Sequence, residues 1–145
     1  MDQIKVKRLR ENAVIPTYGT AFSAGADLYA CLDQPITVAP GETAKIPTGL
    51  ALELPAQTAG LVFARSSLGT KRGLAPANKV GVIDPDYRGE VWVVLFNHSL
   101  LPQQINPGER VAQLLVVPVF TPGFVDADEL SDTVRGTGGF GSTGA

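Results

Sequence analysis

Cysteine and histidine each occur once in this chain, as Cys31 and His98. A single thiol excludes an intrachain disulfide framework and any metal site built from clustered cysteines. Cys31 lies in a strand-like stretch and reads as core; His98 follows an apolar run and reads as a surface or hydrogen-bonded structural residue. There is no Gly-x-Ser-x-Gly elbow, so a Ser-His-Asp hydrolase has no support, and no Gly-Lys pair, so there is no Walker-type phosphate loop. No apolar run approaches the roughly 18 residues of a membrane helix. The basic opening MDQIKVKRLR lacks the apolar stretch of a secretory signal. The expectation is a soluble cytoplasmic protein with no membrane association. Net charge is only −2, so the chain as a whole has no attraction to nucleic acid, and none is expected as a stable partner. An anionic ligand would need locally placed Arg, Lys and backbone N–H groups.

What the chain has in quantity is turn-forming residues: 16 glycines and 11 prolines in 145 residues. Its apolar residues recur with period two. GLALELP (49–55) sets Leu50, Leu52 and Leu54 on one face, and GLVFAR (60–65) follows. EVWVVLFN (90–97) is continuously apolar and reads as a strand buried on both faces. ERVAQLLVVPVF (109–120) is a second such run, broken by Gln113. Asp84-Pro85-Asp86, Asn106-Pro107-Gly108 and similar turn signals separate the runs, which predicts an all-β jelly roll, sandwich or barrel. Ile4, Val6 and Leu9 suggest an edge strand, and DADEL (126–130) is the best short helix candidate. The whole chain, 1–145, reads as one domain: a β body to about residue 120, a connecting arm over 121–134, and a glycine-rich tail over 135–145.

That tail, RGTGGFGSTGA, contains Gly136-x-Gly138-x-x-Gly141, the spacing of a dinucleotide fingerprint. It follows no strand and opens no helix, so the match fails its structural test. Four other stretches concentrate polar chemistry. AGADLYA (24–30) carries Asp27 into a strand. ARSSLG (64–69) sets Arg65, Ser66 and Ser67 ahead of a glycine turn, a candidate phosphate cradle or a plain polar turn. In NKVGVIDPDYRGEV (78–91), Asp84 ends an apolar strand, where partial desolvation would raise its pKa towards general-base values; a structural turn is the alternative. In PGERVAQLL (107–115), Gln113 must find a partner in backbone or ligand.

These four stretches and the tail, in this order, resemble the five sequence motifs of the trimeric deoxyuridine triphosphatases, and they span residues 24–144. The resemblance implies a distorted jelly roll with a flexible C-terminal arm. The implied assembly is a homotrimer whose sites draw on all three subunits. It implies hydrolysis of dUTP to dUMP and pyrophosphate, which keeps uracil out of DNA and supplies dUMP for thymidylate synthesis. By the same resemblance Asp84 activates the water that attacks the α-phosphorus, and Asp27 holds Mg²⁺ through its water shell. Arg65, Ser66, Ser67 and Gln113 bind phosphate. Asn78, Gly81, Val82 and Ile83 present the hairpin that reads uracil, and Tyr87 lies against the sugar, leaving no room for a 2′-hydroxyl. From the tail, Phe140 stacks on the base, while Arg135, Gly141, Ser142 and Thr143 close over the phosphates. The second motif commonly reads Arg-Ser-Gly, whereas Ser67 stands at the third position here. A dCTP deaminase on the same scaffold would need further acid–base residues that no stretch supplies. A catalytically silent binding trimer would not need Asp27, Asp84 and the tail together.

Overall fold

The structure is a computed structural model that describes residues 3–140. Its largest sheet has five antiparallel strands in the order β2 (Thr17–Tyr18), β3 (Ala26–Tyr29), β12 (Arg110–Pro118), β7 (Thr58–Phe63) and β9 (Gly81–Ile83). A three-stranded sheet sets β10 (Trp92–Asn97) between β5 (Thr43–Pro47) and β8 (Leu74–Pro76). Two pairs complete the described strands, β1 (Lys5–Arg8) on β6 (Leu50–Glu53) and β4 (Ile36–Val38) on β11 (Gln103–Ile105). Apart from β2 and β3, strands adjacent in space are not consecutive in sequence, as in the jelly roll the sequence predicts. β1 places Val6 against the core, while Lys5 and Lys7 face outward across from Glu53 and Ala51.

Between the sheets lies one main apolar core. Leu28, Ile46, Val93, Leu95, Ile105 and Val111 are all at 0–1% exposure. Full burial of each such side chain contributes about 1.5–3 kcal/mol. Leu50, Leu52 and Leu54 are all buried, as their spacing predicts; Leu50 joins Ala13 and Cys31 in a small second cluster. Asn97 is fully buried and its amide is satisfied: it donates to the carbonyls of Val38 (2.9 Å) and Leu101 (2.8 Å) and accepts from Ser99.

Three expectations are corrected. The run 90–97 is not buried on both faces: Val93, Leu95 and Asn97 point inward, while Trp92, Val94 and Phe96 point outward and are partly exposed. Lys45 covers part of that outer face, its ammonium lying 4.2 Å over the Trp92 ring. DADEL forms no helix, since nothing packs on it and Leu130 is exposed. ARSSLG leads not into a glycine turn but into one wide helical turn, Ser67–Arg72, closed by Gly73 at φ 65°, whose N–H bonds the Leu68 carbonyl. Leu68 anchors that turn in the core. Arg72, at its end, donates to Gln103 (3.2 Å), to Glu109 and to the Gln104 carbonyl. It thereby ties the turn to the loop that starts β12.

Candidate active site

A cavity of about 280 Å³ opens beside β9. Asn78, Gly81, Val82, Ile83, Asp84 and Tyr87 line it, so the third predicted motif converges on one place. The connection from β8 to β9, which crosses between the two sheets, turns at Lys79, which adopts φ 68°. Its N–H bonds the Pro76 carbonyl at 2.9 Å. Gly81 sits close under its neighbours: a Cβ there would lie 3.2 Å from Val62 Cβ and 3.7 Å from Asn78 Nδ2. β9 is an edge strand, bonded to β7 on one side only. Half of its backbone polar groups therefore remain available to a ligand. Past β9 the chain turns over Asp84-Pro85-Asp86, with Tyr87 N–H on the Asp84 carbonyl at 3.2 Å. The Tyr87 hydroxyl donates to the Glu90 carbonyl at 3.0 Å.

The Asp84 carboxylate is exposed. The desolvation expected at a strand end is therefore not supplied by this single chain. Pro85 takes the chain straight out of the sheet, so the acid projects from the rim rather than into the core.

A second, polar cleft of about 620 Å³ lies at the other side of the large sheet. It gathers Asp27, Arg65, Ser66 and Gln113. Asp27 is buried at 8% exposure, and both of its oxygens accept from guanidinium groups: Oδ1 from Arg65 Nε at 2.7 Å, Oδ2 from Arg110 Nη1 at 3.3 Å. Arg65 also donates to Ser67 Oγ at 3.2 Å, so Ser67 sits beside the arginine it follows in sequence. Ser66 is exposed and makes no capping bond. The Gln113 amide donates to the Ala64 carbonyl at 2.9 Å, giving the partner its place in an apolar run demanded. A Cβ at Gly25 would stand 2.6 Å from Gln113 Oε1, so Gly25 is what admits that amide.

Arg110 was not expected in this cleft. It opens β12 opposite Tyr29, and the irregular register between Arg110 and Ala112 swings its side chain back towards Asp27. Two arginines against one carboxylate leave the cleft net positive, suited to a polyanion. Among the described residues no three His, Cys, Asp or Glu side chains cluster as a metal site. A lone carboxylate whose two oxygens already accept from guanidinium groups offers no all-protein cage for a cation.

The two hollows are separate on one chain, Val62 of β7 lining the first and Phe63 the second. Asp27 on β3 faces Gln113 on β12, which faces Phe63 on β7. β9 is the next strand, and Asp84 lies four residues beyond the position opposite Phe63. Three strand spacings and four residues of rise put Asp84 about 20 Å from Asp27.

Arg135 donates to the Gly138 carbonyl at 2.8 Å, inside a tight turn with Gly136 at φ 53°. Phe140 is fully exposed and touches neither hollow. Gly141, Ser142 and Thr143 lie outside the described residues. The arm forms no strand or helix, and Phe120, Phe124, Val125, Leu130 and Val134 are all at least 89% exposed. Cys31 is buried at 3%; its thiol donates to Asn12 Oδ1 at 3.0 Å, and burial pushes its pKa up. It is core, as expected. His98 is exposed, with its backbone N–H on the Gly73 carbonyl. No described helix is long and apolar enough to cross a membrane.

Residues 11–144 match the dUTPase family model. The chain is 52% identical over 149 residues to the deoxyuridine 5′-triphosphate nucleotidohydrolase of Desulfitobacterium hafniense strain DSM 10664 / DCB-2, covering 99% of each. It is 48% identical over 145 residues to that of Neisseria meningitidis serogroup B, covering 99% of this chain and 96% of the relative. The structure superposes on the Staphylococcus bacteriophage 80alpha dUTPase with dUpNHpp at a TM-score of 0.91, with 28% identity and both chains fully covered. A variant dUTPase of phage phi11 of S. aureus, which coordinates a structural Mg(II) ion, matches at a TM-score of 0.82, with 26% identity over 90% of this chain and 100% of that one. The hollow beside β9, the positive cleft around Asp27 and these full-length likenesses agree: the chain belongs to the dUTPase family of nucleotidohydrolases.

Proposed function

We propose that this chain hydrolyses dUTP to dUMP and pyrophosphate by attack of an Asp84-activated water on the α-phosphorus, with sites assembled from neighbouring copies in a homotrimer. The observation that carries the reading is Asp84 at the rim of a cavity bounded by Asn78 and the unpaired edge of β9. An edge strand offers alternating N–H and C=O groups, the pattern that a uracil ring's O4 and N3–H require. The Asn78 amide adds one more polar contact. Close approach of Gly81, Val82 and Ile83 leaves little space for cytosine's amino group or thymine's methyl, and Tyr87 walls the sugar side.

The separation of about 20 Å between Asp84 and Asp27 exceeds the reach of one substrate's phosphate chain. The base cavity of one copy must then meet the positive cleft of another. There Arg65, Ser66, Ser67 and Gln113 bind the phosphates, and burial at the junction supplies the desolvation that Asp84 lacks in a single chain. Asp27 would hold Mg²⁺ through water, and the metal, when bound, neutralises the triphosphate charge. The exposed arm then reaches across copies. Phe140 stacks on uracil, while Arg135, Gly141, Ser142 and Thr143 close over the phosphates and exclude bulk water. Phosphoanhydride hydrolysis by water needs in-line positioning, charge neutralisation and one base, with no covalent nucleophile and no histidine. This fits a chain whose one thiol is buried.

Incubation with Mg²⁺ and dUTP, dCTP, dTTP or UTP in turn, reading pyrophosphate and ammonia, tests the reading. Pyrophosphate from dUTP alone is expected; ammonia from dCTP would overturn it. Asp84→Asn should lower turnover by at least about 10²-fold with the fold intact, and wild-type turnover in that variant would remove Asp84 from its role. Light scattering that returned a monomer would refute the shared site.

A further inference from the structure

Glycine at position 89 is not explained by a left-handed backbone, since it is not among the described residues with positive φ. The reason is a neighbour. A Cβ on Gly89 would lie 2.4 Å from the Tyr87 hydroxyl oxygen, 2.6 Å from Cζ and 2.9 Å from Cε2. All three nearest atoms belong to one aromatic ring, and none to the backbone. The ring occupies the space that a side chain at 89 would fill.

We propose that Gly89 is a specificity-determining positioning residue: its missing side chain lets Tyr87 fold back over its own turn and form the sugar-side wall of the cavity. The proposal rests on the reading in which Tyr87 lies against the sugar. Folded back, the hydroxyl reaches the Glu90 carbonyl, and that carbonyl is well fixed, because the Glu90 carboxylate accepts the Gly49 N–H at 2.9 Å. Arg88 braces the same turn through the carbonyls of Pro85 (2.7 Å) and Tyr87 (3.1 Å). These bonds hold the turn's backbone, and the ring, 45% exposed, has solvent to move into. A methyl group at 89 would break the hydroxyl's bond and swing the ring towards solvent. The three atoms nearest the added carbon are all Tyr87 side-chain atoms, so the ring is what must yield first, ahead of Asp84 and the Asn78 segment. The wall would be lost while the base and the base-reading edge remain.

The test is kinetic and uses the full chain. Steady-state kcat and KM for dUTP and UTP are measured for wild type, Gly89→Ala, Tyr87→Ala and the double variant. Gly89→Ala should lose at least about tenfold of the preference for dUTP over UTP, the scale on which a cavity wall rejects an added hydroxyl. Its kcat on dUTP should stay within about threefold while KM rises, because the transition-state groups are untouched. In the Tyr87→Ala background Gly89→Ala should cost nothing more. A wild-type preference in Gly89→Ala overturns the proposal, and so does a further undiminished loss in the double variant, which would place the effect in the backbone. Selectively labelled tyrosine separates the two levels, since the chain has only three tyrosines. If the Tyr87 ring resonances stay put in Gly89→Ala, the positioning itself is wrong. If they shift but Tyr87→Ala still rejects UTP, the sugar reading of Tyr87 is wrong.

Discussion

Replacing Asp27 by asparagine keeps the shape of the side chain and removes the one negative charge between two guanidinium groups. The two bonds are unequal. Arg65 presents Nε at 2.7 Å and is 21% exposed at its side chain; Arg110 presents Nη1 at 3.3 Å and is 51% exposed. A short, mostly enclosed hydrogen bond to a charged group contributes about 1.5–3 kcal/mol, whereas a long, half-exposed ion pair contributes about 0.5 kcal/mol. Asp27→Asn should therefore cost about 2–3 kcal/mol, Arg65→Gln about 2 kcal/mol and Arg110→Gln no more than about 0.5 kcal/mol. Urea unfolding at pH 7 reads these as shifts in midpoint, at one fixed protein concentration because assembly adds to apparent stability. In 1 M salt, where charges are screened beyond about 3 Å, the Arg110 contribution should vanish and most of the Arg65 contribution survive. Equal costs for the two arginine variants, or a cost below about 0.5 kcal/mol for Asp27→Asn, would refute the asymmetry drawn from the distances.

Two further outcomes follow from glycines and the arm. A chain ending at Val134 should fold and assemble as the full chain does but lose most of its turnover on dUTP; full activity would reduce the tail to a linker. Gly41 and Gly49 both have positive φ, at 76° and 69°, but a Cβ at Gly41 meets nothing while one at Gly49 meets Ala13 Cβ and Cys31 Sγ at 2.8 Å. Gly41→Ala should cost only the left-handed strain of about 1–2 kcal/mol, and Gly49→Ala about 1–3 kcal/mol more from overpacking. Thermal melts that rank the two alike would contradict the packing at Gly49.

Much of this was legible in the chain itself. Period-two spacing marked Leu50, Leu52 and Leu54 as buried, but it did not separate Leu50, which packs with Ala13 and Cys31, from Leu52 and Leu54 in the main core, nor show that Ala51 is buried too. The same logic misjudged Trp92, Val94 and Phe96, since outward-facing apolar residues of a strand look no different in sequence from residues in a core. The third motif could be followed onto one cavity because its residues are consecutive along β9 and the turns on either side of it. Arg110 could not, because its approach to Asp27 depends on a register irregularity that leaves no mark in the sequence. The exposure of Asp84 was equally hidden. A strand end next to a proline is compatible with burial or projection, and only the path of the turn decides. The wide turn at Ser67–Arg72 escaped for lack of any helical repeat; Lys71 and Arg72 ahead of Gly73 were the one available sign of a helix end.

In the proposed assembly, the five-stranded sheet that holds Asp27 near one margin and leads into Asp84 at the other would make each chain a two-headed donor, lending a base to one neighbour and a cationic cradle to another. Two dead proteins can then make a living one. Under that proposal, chains carrying Asp84→Asn and chains carrying Arg65→Gln would each be impaired alone, but refolded together in equal amounts they would re-create intact junctions wherever the sound head of one kind meets the sound head of the other. With random mixing in a closed ring of head-to-tail contacts, about a quarter of the junctions are whole.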